Sequence, residues 1–275
     1  MGGHHAEGVT RARLAALTAL VTLGPIAALV PSAASQGSAP LLPDLVQDVP
    51  RNLAAGHAHL PDGTLTDTFA ISFDSAVRNV GTGPLHLVGR RGPRGMVVEQ
   101  ALHGGPVEAS AVVGTVPDVG HMRYVTTYGH RHWHVLRFER YALRSLERPG
   151  VVVRDRKQGF CLSNGFSDGW CSQNQERARS VAMGLLPDPT FADVYKARVE
   201  GQEIGVTRTS APTGRYDLVH TANPSGRLRE VSRTNDSSSV ELSLRWPADP
   251  SRAPRVQVLK RCPGSATCGT PQTAR

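Results

Sequence analysis

Three histidines at alternate positions, His130, His132 and His134 in Tyr128-Gly129-His130-Arg131-His132-Trp133-His134, are the strongest chemical feature of this 275-residue chain. In an extended strand, alternate side chains share a face, so the three imidazoles point one way and Arg131 and Trp133 the other. Neutral imidazole is the commonest protein ligand for transition metals. Three imidazoles with no thiolate or neighbouring carboxylate suit Cu(II) or Zn(II) and leave coordination positions for water or oxygen. Spacing alone keeps both metals open. Alternate residues on a flat strand lie roughly 6.6 Å apart, so one ion meets all three only if the segment curls, which Gly129 permits.

Lysine is the second signal. Only three of the 31 basic residues are lysines, Lys157, Lys196 and Lys260. Arginine is the default cation here, and an amine can do what a guanidinium, which never deprotonates in proteins, cannot. The four cysteines form two close pairs, making Cys161–Cys171 and Cys262–Cys268 the plausible bridges. No Cys-x-x-Cys occurs, which argues against thiolate zinc sites and thioredoxin-like chemistry.

The elements that must position these residues read as short strands. Segments 70–77, 85–89, 96–102, 123–127, 132–143, 151–154, 203–207, 215–220, 240–246 and 255–259 have β character and are separated by Gly, Pro, Asn and Asp. Helix is expected only over 173–183. The pattern predicts a mainly β fold, a single sandwich or barrel-like domain with long loops and little helix. No Rossmann or P-loop glycine pattern and no fixed-period repeat is present.

Residues 1–35 read as a secretory signal peptide: Arg11 and Arg13 precede an apolar stretch that Pro25 interrupts and Ser32-Ala33-Ala34-Ser35 closes. That predicts a secreted protein with no membrane span after cleavage. Residues 36–246 are expected to form one domain. Residues 247–275 are expected to form a Pro- and Arg-rich tail with one strand and a small disulfide loop. The net charge of +8 is compatible with acidic partners, but no basic cluster interleaved with aromatics points to nucleic acid. Nothing in the sequence sets an oligomeric state.

Several collinear fragments together resemble the catalytic domain of lysyl oxidases. They are Leu42-Pro43-Asp44-Leu45-Val46, Val77-Arg78-Asn79-Val80-Gly81-Thr82, the His-x-His-aromatic-His run with Phe138 and Tyr141 after it, Lys157-Gln158-Gly159-Phe160-Cys161-Leu162, and Asp193-Val194-Tyr195 with Gln202 beyond. The resemblance covers roughly residues 42–207, with a weaker echo through Trp246. It implies that His130, His132 and His134 ligate Cu(II), and that Lys157 and Tyr195 become cross-linked as lysine tyrosylquinone. The implied activity is oxidative deamination of a primary amine, peptidyl-lysine or a small amine, to an aldehyde with O2, releasing hydrogen peroxide and ammonia. Asp155 is a candidate to hold or deprotonate the Lys157 amine, although ion pairing with Arg154 or Arg156 is its commoner role. Asp168, Asp188 and Asp193 are candidates to offset the basic charge around a cationic substrate. The family's animal members carry many more cysteines, so their disulfide framework does not transfer beyond a bridge involving Cys161.

Two other readings compete. A cupin-like metal dioxygenase would use His132-x-His134 with Glu139 after four intervening residues, and His220 as a second-motif histidine. A secreted copper-binding module would keep the histidines without forming the cross-link.

Overall fold

The computed structural model describes residues 39–60, 64–93, 95–105, 111–127, 130–148, 150–154, 159–162, 171–197, 199 and 201–269. These form sixteen strands and, among the described residues, no helix. The mainly β expectation is met, with every pairing antiparallel and no sheet closed into a barrel.

In the first sheet the organising element is β3 (Leu65–Asn79), fifteen residues long. Its second half pairs with β1 (Leu45–Gln47) and β12 (Asp188–Tyr195), and its first half with β2 (Arg51–His59) and β13 (Glu203–Val206). A run buried from Phe69 to Ser75 explains why β3 is central. Phe69, Ile71, Phe73 and Val77 of this strand join the hydrophobic core.

The second sheet has the order β10-β7-β6-β5-β4-β11. Its strands are β4 (Leu85–Gly92), β5 (Gly95–His103), β6 (Val112–Val125), β7 (His132–Leu136), β10 (Gly159–Phe160) and β11 (Ser180–Leu185). The third has the order β16-β15-β14-β8-β9. It comprises β8 (Glu139–Ser145), β9 (Val152–Arg154), β14 (Gly214–Ala222), β15 (Ser237–Arg245) and β16 (Arg255–Cys262).

The sheets share one core, whose centre is aromatic. Phe73 of β3 meets Tyr141 of β8 edge-on at 5.0 Å and His220 of β14 at 4.8 Å, while Phe160 of β10 lies 6.2 Å from Tyr141. Each sheet therefore contributes a ring to one contact, and edge-to-face packing fixes their mutual orientation.

Two local expectations are corrected. The run 132–143 is not one strand: Arg137 adopts a positive φ of 59°, and β7 and β8 on either side of it enter different sheets. The helix expected over 173–183 is absent. Cys171, Ser172 and Asn174 have φ of 54°, 55° and 61°, left-handed values that break a helical start, and Ser180–Leu185 instead pairs with β4 as β11. Both disulfides, Cys161–Cys171 and Cys262–Cys268, are present.

Candidate metal centre and adjoining tyrosine

His132 and His134 sit on β7, which is held between β6 and β10. Across the sheet His132 faces Val125 and His134 faces Arg123. The opposite face of β7 is anchored by Trp133. Its amide donates to the Cys171 carbonyl (3.1 Å), its indole N–H donates to the Gln175 carbonyl (3.0 Å), and Tyr124 packs on its ring at 5.5 Å. A strand pinned on that side presents its alternate residues to the other without freedom to rotate.

His130 lies before the strand. Its amide donates to the Thr127 carbonyl at 2.8 Å, and its Nδ1 lies 3.3 Å from Thr127 Oγ1. These contacts hold His130 near Thr127 and off the line of a flat strand. The ring centroids consequently stand 4.8 to 5.6 Å apart. One nitrogen from each of the three falls within 4.8 Å of the others, and His132 Nε2 and His134 Nε2 face one another at 2.9 Å. Among the described residues this is the one cluster of His, Cys, Asp or Glu able to hold a metal ion. Gly159 completes the cradle: a Cβ there would stand 2.7 Å from both Cβ and Nδ1 of His134, so the backbone of β10 acts as a wall behind that ring.

The three histidines line a cavity of about 870 Å³ together with Tyr195 of β12. The half-buried Tyr195 donates its hydroxyl to the Cys161 carbonyl at 2.7 Å, and its ring meets Phe160 edge-on at 5.2 Å. Since Cys161 follows β10 and is bonded to Cys171, that disulfide steadies the acceptor that orients the phenol. Burial, with the carboxylates of Asp193 and Glu139 nearby, pushes the Tyr195 phenol well above its ordinary range and keeps it neutral.

Behind Phe160 is a buried polar network. Tyr141 donates to Glu139 Oε2 at 2.9 Å, and its hydroxyl lies 2.9 Å from Ser75 Oγ and 3.2 Å from Gln202 Oε1. Glu139, which a cupin motif would put on the metal, thus belongs to the tyrosine network. His220 stacks between Phe73 and Tyr141 and is not part of the histidine cluster.

Of the acidic candidates, Asp193 lines the cavity, whereas Asp188 Oδ1 caps a turn by accepting from the amides of Thr190 and Phe191. Lys157, Asp155, Asp168, Gly129 and residues 1–35 lie outside the described residues. The described residues that flank Lys157 in sequence, Arg154 and Gly159, both line the cavity. Sequence reasoning missed Gly159 as a packing partner of His134. It also missed the pair His59–Glu203 on the cavity wall, in which Nδ1 and Oε2 are 3.1 Å apart. Their separation of 144 positions leaves no local signal.

A comparison with curated proteins found no match. The family model described as lysyl oxidase matches residues 107–247. That interval contains the histidine run, Tyr195 and the Cys161–Cys171 bridge, and it begins after the fragments at 42–46 and 77–82. With just over half of the 275 residues matched, the chain belongs to the lysyl oxidase family.

Proposed function

We propose that the protein is a secreted, copper-dependent amine oxidase that converts a primary amine, on a peptidyl lysine or a small molecule, to an aldehyde. The net reaction takes up O2 and water and releases ammonia and hydrogen peroxide. The observation that carries this reading is the meeting of the three-histidine cluster and Tyr195 on the wall of one cavity.

The donor set suits the metal. Three neutral imidazoles are borderline ligands that favour copper over other available divalent ions and leave positions open. In this reading His130, His132 and His134 hold Cu(II), and Lys157 and Tyr195 carry lysine tyrosylquinone. When bound, copper supplies the oxygen-dependent oxidation that joins the Lys157 amine to the Tyr195 ring, and the finished quinone supplies the carbonyl electrophile for an amine.

The chain's own residues set the conditions. The Cys161 carbonyl and Phe160 hold the Tyr195 ring in one orientation, which restricts where an incoming amine reacts. Asp193 and Glu203 place negative charge on a wall that also carries Arg123, Arg154 and Lys196, so a cationic amine meets local acid within a basic protein. The apolar Val125, Val194 and Val206 line the same space and limit water. Residues 1–35 are proposed to be removed on export.

Aerobic copper loading followed by peptide mass mapping tests the reading. A covalently linked pair of peptides containing Lys157 and Tyr195 is expected, with a visible band that shifts on phenylhydrazine addition. Lys157→Arg should abolish both while copper stays bound. Stoichiometric copper with both peptides unmodified would instead identify a copper-binding module.

A further inference from the structure

For an amine to become an aldehyde its α-hydrogen must leave as a proton, so the site needs a base within reach of the residue that carries the electrophile. We infer that Asp193 is that base, an assignment that rests on the amine oxidase reading above.

Asp193 and Tyr195 are alternate residues of β12, so both side chains project from one face of the strand. Pairing with Val77 and Ser75 of β3 fixes them there, and a register irregularity between Asp188 and Asp193 offsets the strand immediately before this pair. Bulges of that kind re-aim side chains beside reaction sites. Asp193 is 9% exposed yet lines the cavity shared by Tyr195 and the histidines. Its carboxylate is close enough to the phenol to raise it by both charge and hydrogen bonding.

The other basic groups on the wall serve less well. Glu203 pairs with Ser72, three residues along β3 from Ser75, the partner of Tyr195. That is about 10 Å of strand, and both carboxylate oxygens of Glu203 are engaged by His59, Oε1 by its amide and Oε2 by its ring. Lys196 forms an ion pair with Asp74 at 3.4 Å, and the arginines never deprotonate.

In the step assigned to Asp193, the Cα–H bond of the amine condensed with the cofactor breaks and the proton passes to the carboxylate oxygen. The electron pair of that bond reduces the oxidised ring. Water would then release the aldehyde and leave the amine nitrogen on the reduced ring. Passing two electrons and two protons to O2 would give hydrogen peroxide, and a second water would release the nitrogen as ammonia and restore the quinone oxygen.

The test compares copper-loaded wild type, Asp193→Asn and Asp193→Glu, using butylamine and a lysine-containing peptide as amine probes. Phenylhydrazine condenses without loss of an α-proton, so Asp193→Asn should keep the cross-linked peptide and the phenylhydrazine band. Anaerobic amine should bleach the visible band of wild type but leave that of Asp193→Asn standing. Peroxide release should fall about 10²- to 10⁴-fold in Asp193→Asn and recover in part in Asp193→Glu. Bleaching of Asp193→Asn at the wild-type rate overturns the assignment. So does loss of its phenylhydrazine band, which would move Asp193 from proton abstraction to cofactor formation. Absence of the cross-linked peptide in wild type removes the amine oxidase reading itself, and the base with it.

Discussion

Gly159 carries no side chain because His134 occupies the space one would need. A methyl group at that position would press on Cβ and Nδ1 of His134 at 2.7 Å, and relief would require either the ring or β10 to move. Gly159→Ala is therefore expected to weaken copper retention by about 10- to 100-fold, the range seen when groups that orient a metal ligand are disturbed. Equilibrium dialysis against a competing chelator would measure it, and unchanged affinity would show that β10 yields instead of the histidine. The histidines were legible from spacing because a period of two is a property of the local chain. Gly159 was not, because its role depends on a strand that returns to β7 after more than twenty residues.

At the scale of the element, a turn and a bridge decide how the site is assembled. The left-handed Arg137 sends the chain from the second sheet into the third, so that the histidines of β7 and the Tyr141–Glu139 network of β8 lie in different layers on either side of Phe160. The Cys161–Cys171 bridge ties the end of β10 to the segment that receives the Trp133 amide. Replacing both cysteines with alanine should cost about 2–3 kcal/mol by loop entropy. The melting temperature should consequently fall by roughly 5–10 °C. The variant should also form less of the cross-linked peptide, because the acceptor of the Tyr195 hydroxyl is no longer fixed. A melting temperature equal to that of wild type would mean that β-pairing alone holds this region. The strands themselves could be read from alternation and turn residues. The false helix over 173–183 arose because composition there tolerates helix, whereas a distant cysteine and pairing with β4 impose an extended path.

Across the whole molecule, four titrating groups, His220 and Asp236 buried and Glu230 and His86 half-buried, oppose one another. Glu230 is raised from 4.5 to about 7, mainly by burial beside Asn223, Asp236, the Leu45 amide and Asp44, and Asp236 is raised from 3.8 to about 6. In the folded state these carboxyls keep protons that the unfolded chain has released, so stability rises as pH falls through those intervals. His220, whose ring nitrogens have no hydrogen-bond partner among the described residues, is lowered from 6.5 to about 3 by burial. His86, half-buried beside His103, is lowered to about 4 by that burial and by the neighbouring ring. Both stay neutral when folded and take up protons when unfolded, so stability falls as pH drops below 6.5. Two groups of each sign cancel between about pH 4.5 and 6, and variants should expose them. Relative to wild type, Glu230→Gln should lose stability on acidification from pH 7 to 4.5, and His220→Phe should gain it from pH 6.5 to 3. The change should be of order 1 kcal/mol per pH unit in each case. Thermal melts in chelator-containing buffer at several pH values would check this, and variant curves parallel to wild type would refute it.

By itself the sequence determined the strand-rich character, the metal-capable histidine run, the cysteine pairs and the family resemblance, because each depends on residue type and near-neighbour spacing. The tertiary structure alone decided that Tyr195, sixty-one residues beyond His134, lines the same cavity, that Asp193 stands beside it, and that Glu139 serves a tyrosine and not the metal. Those outcomes follow from which strands pair and in what register. A one-residue slip of β12 on β3 would put Tyr195 and Asp193 on the face that Val194 now takes, without altering the sequence pattern of either strand.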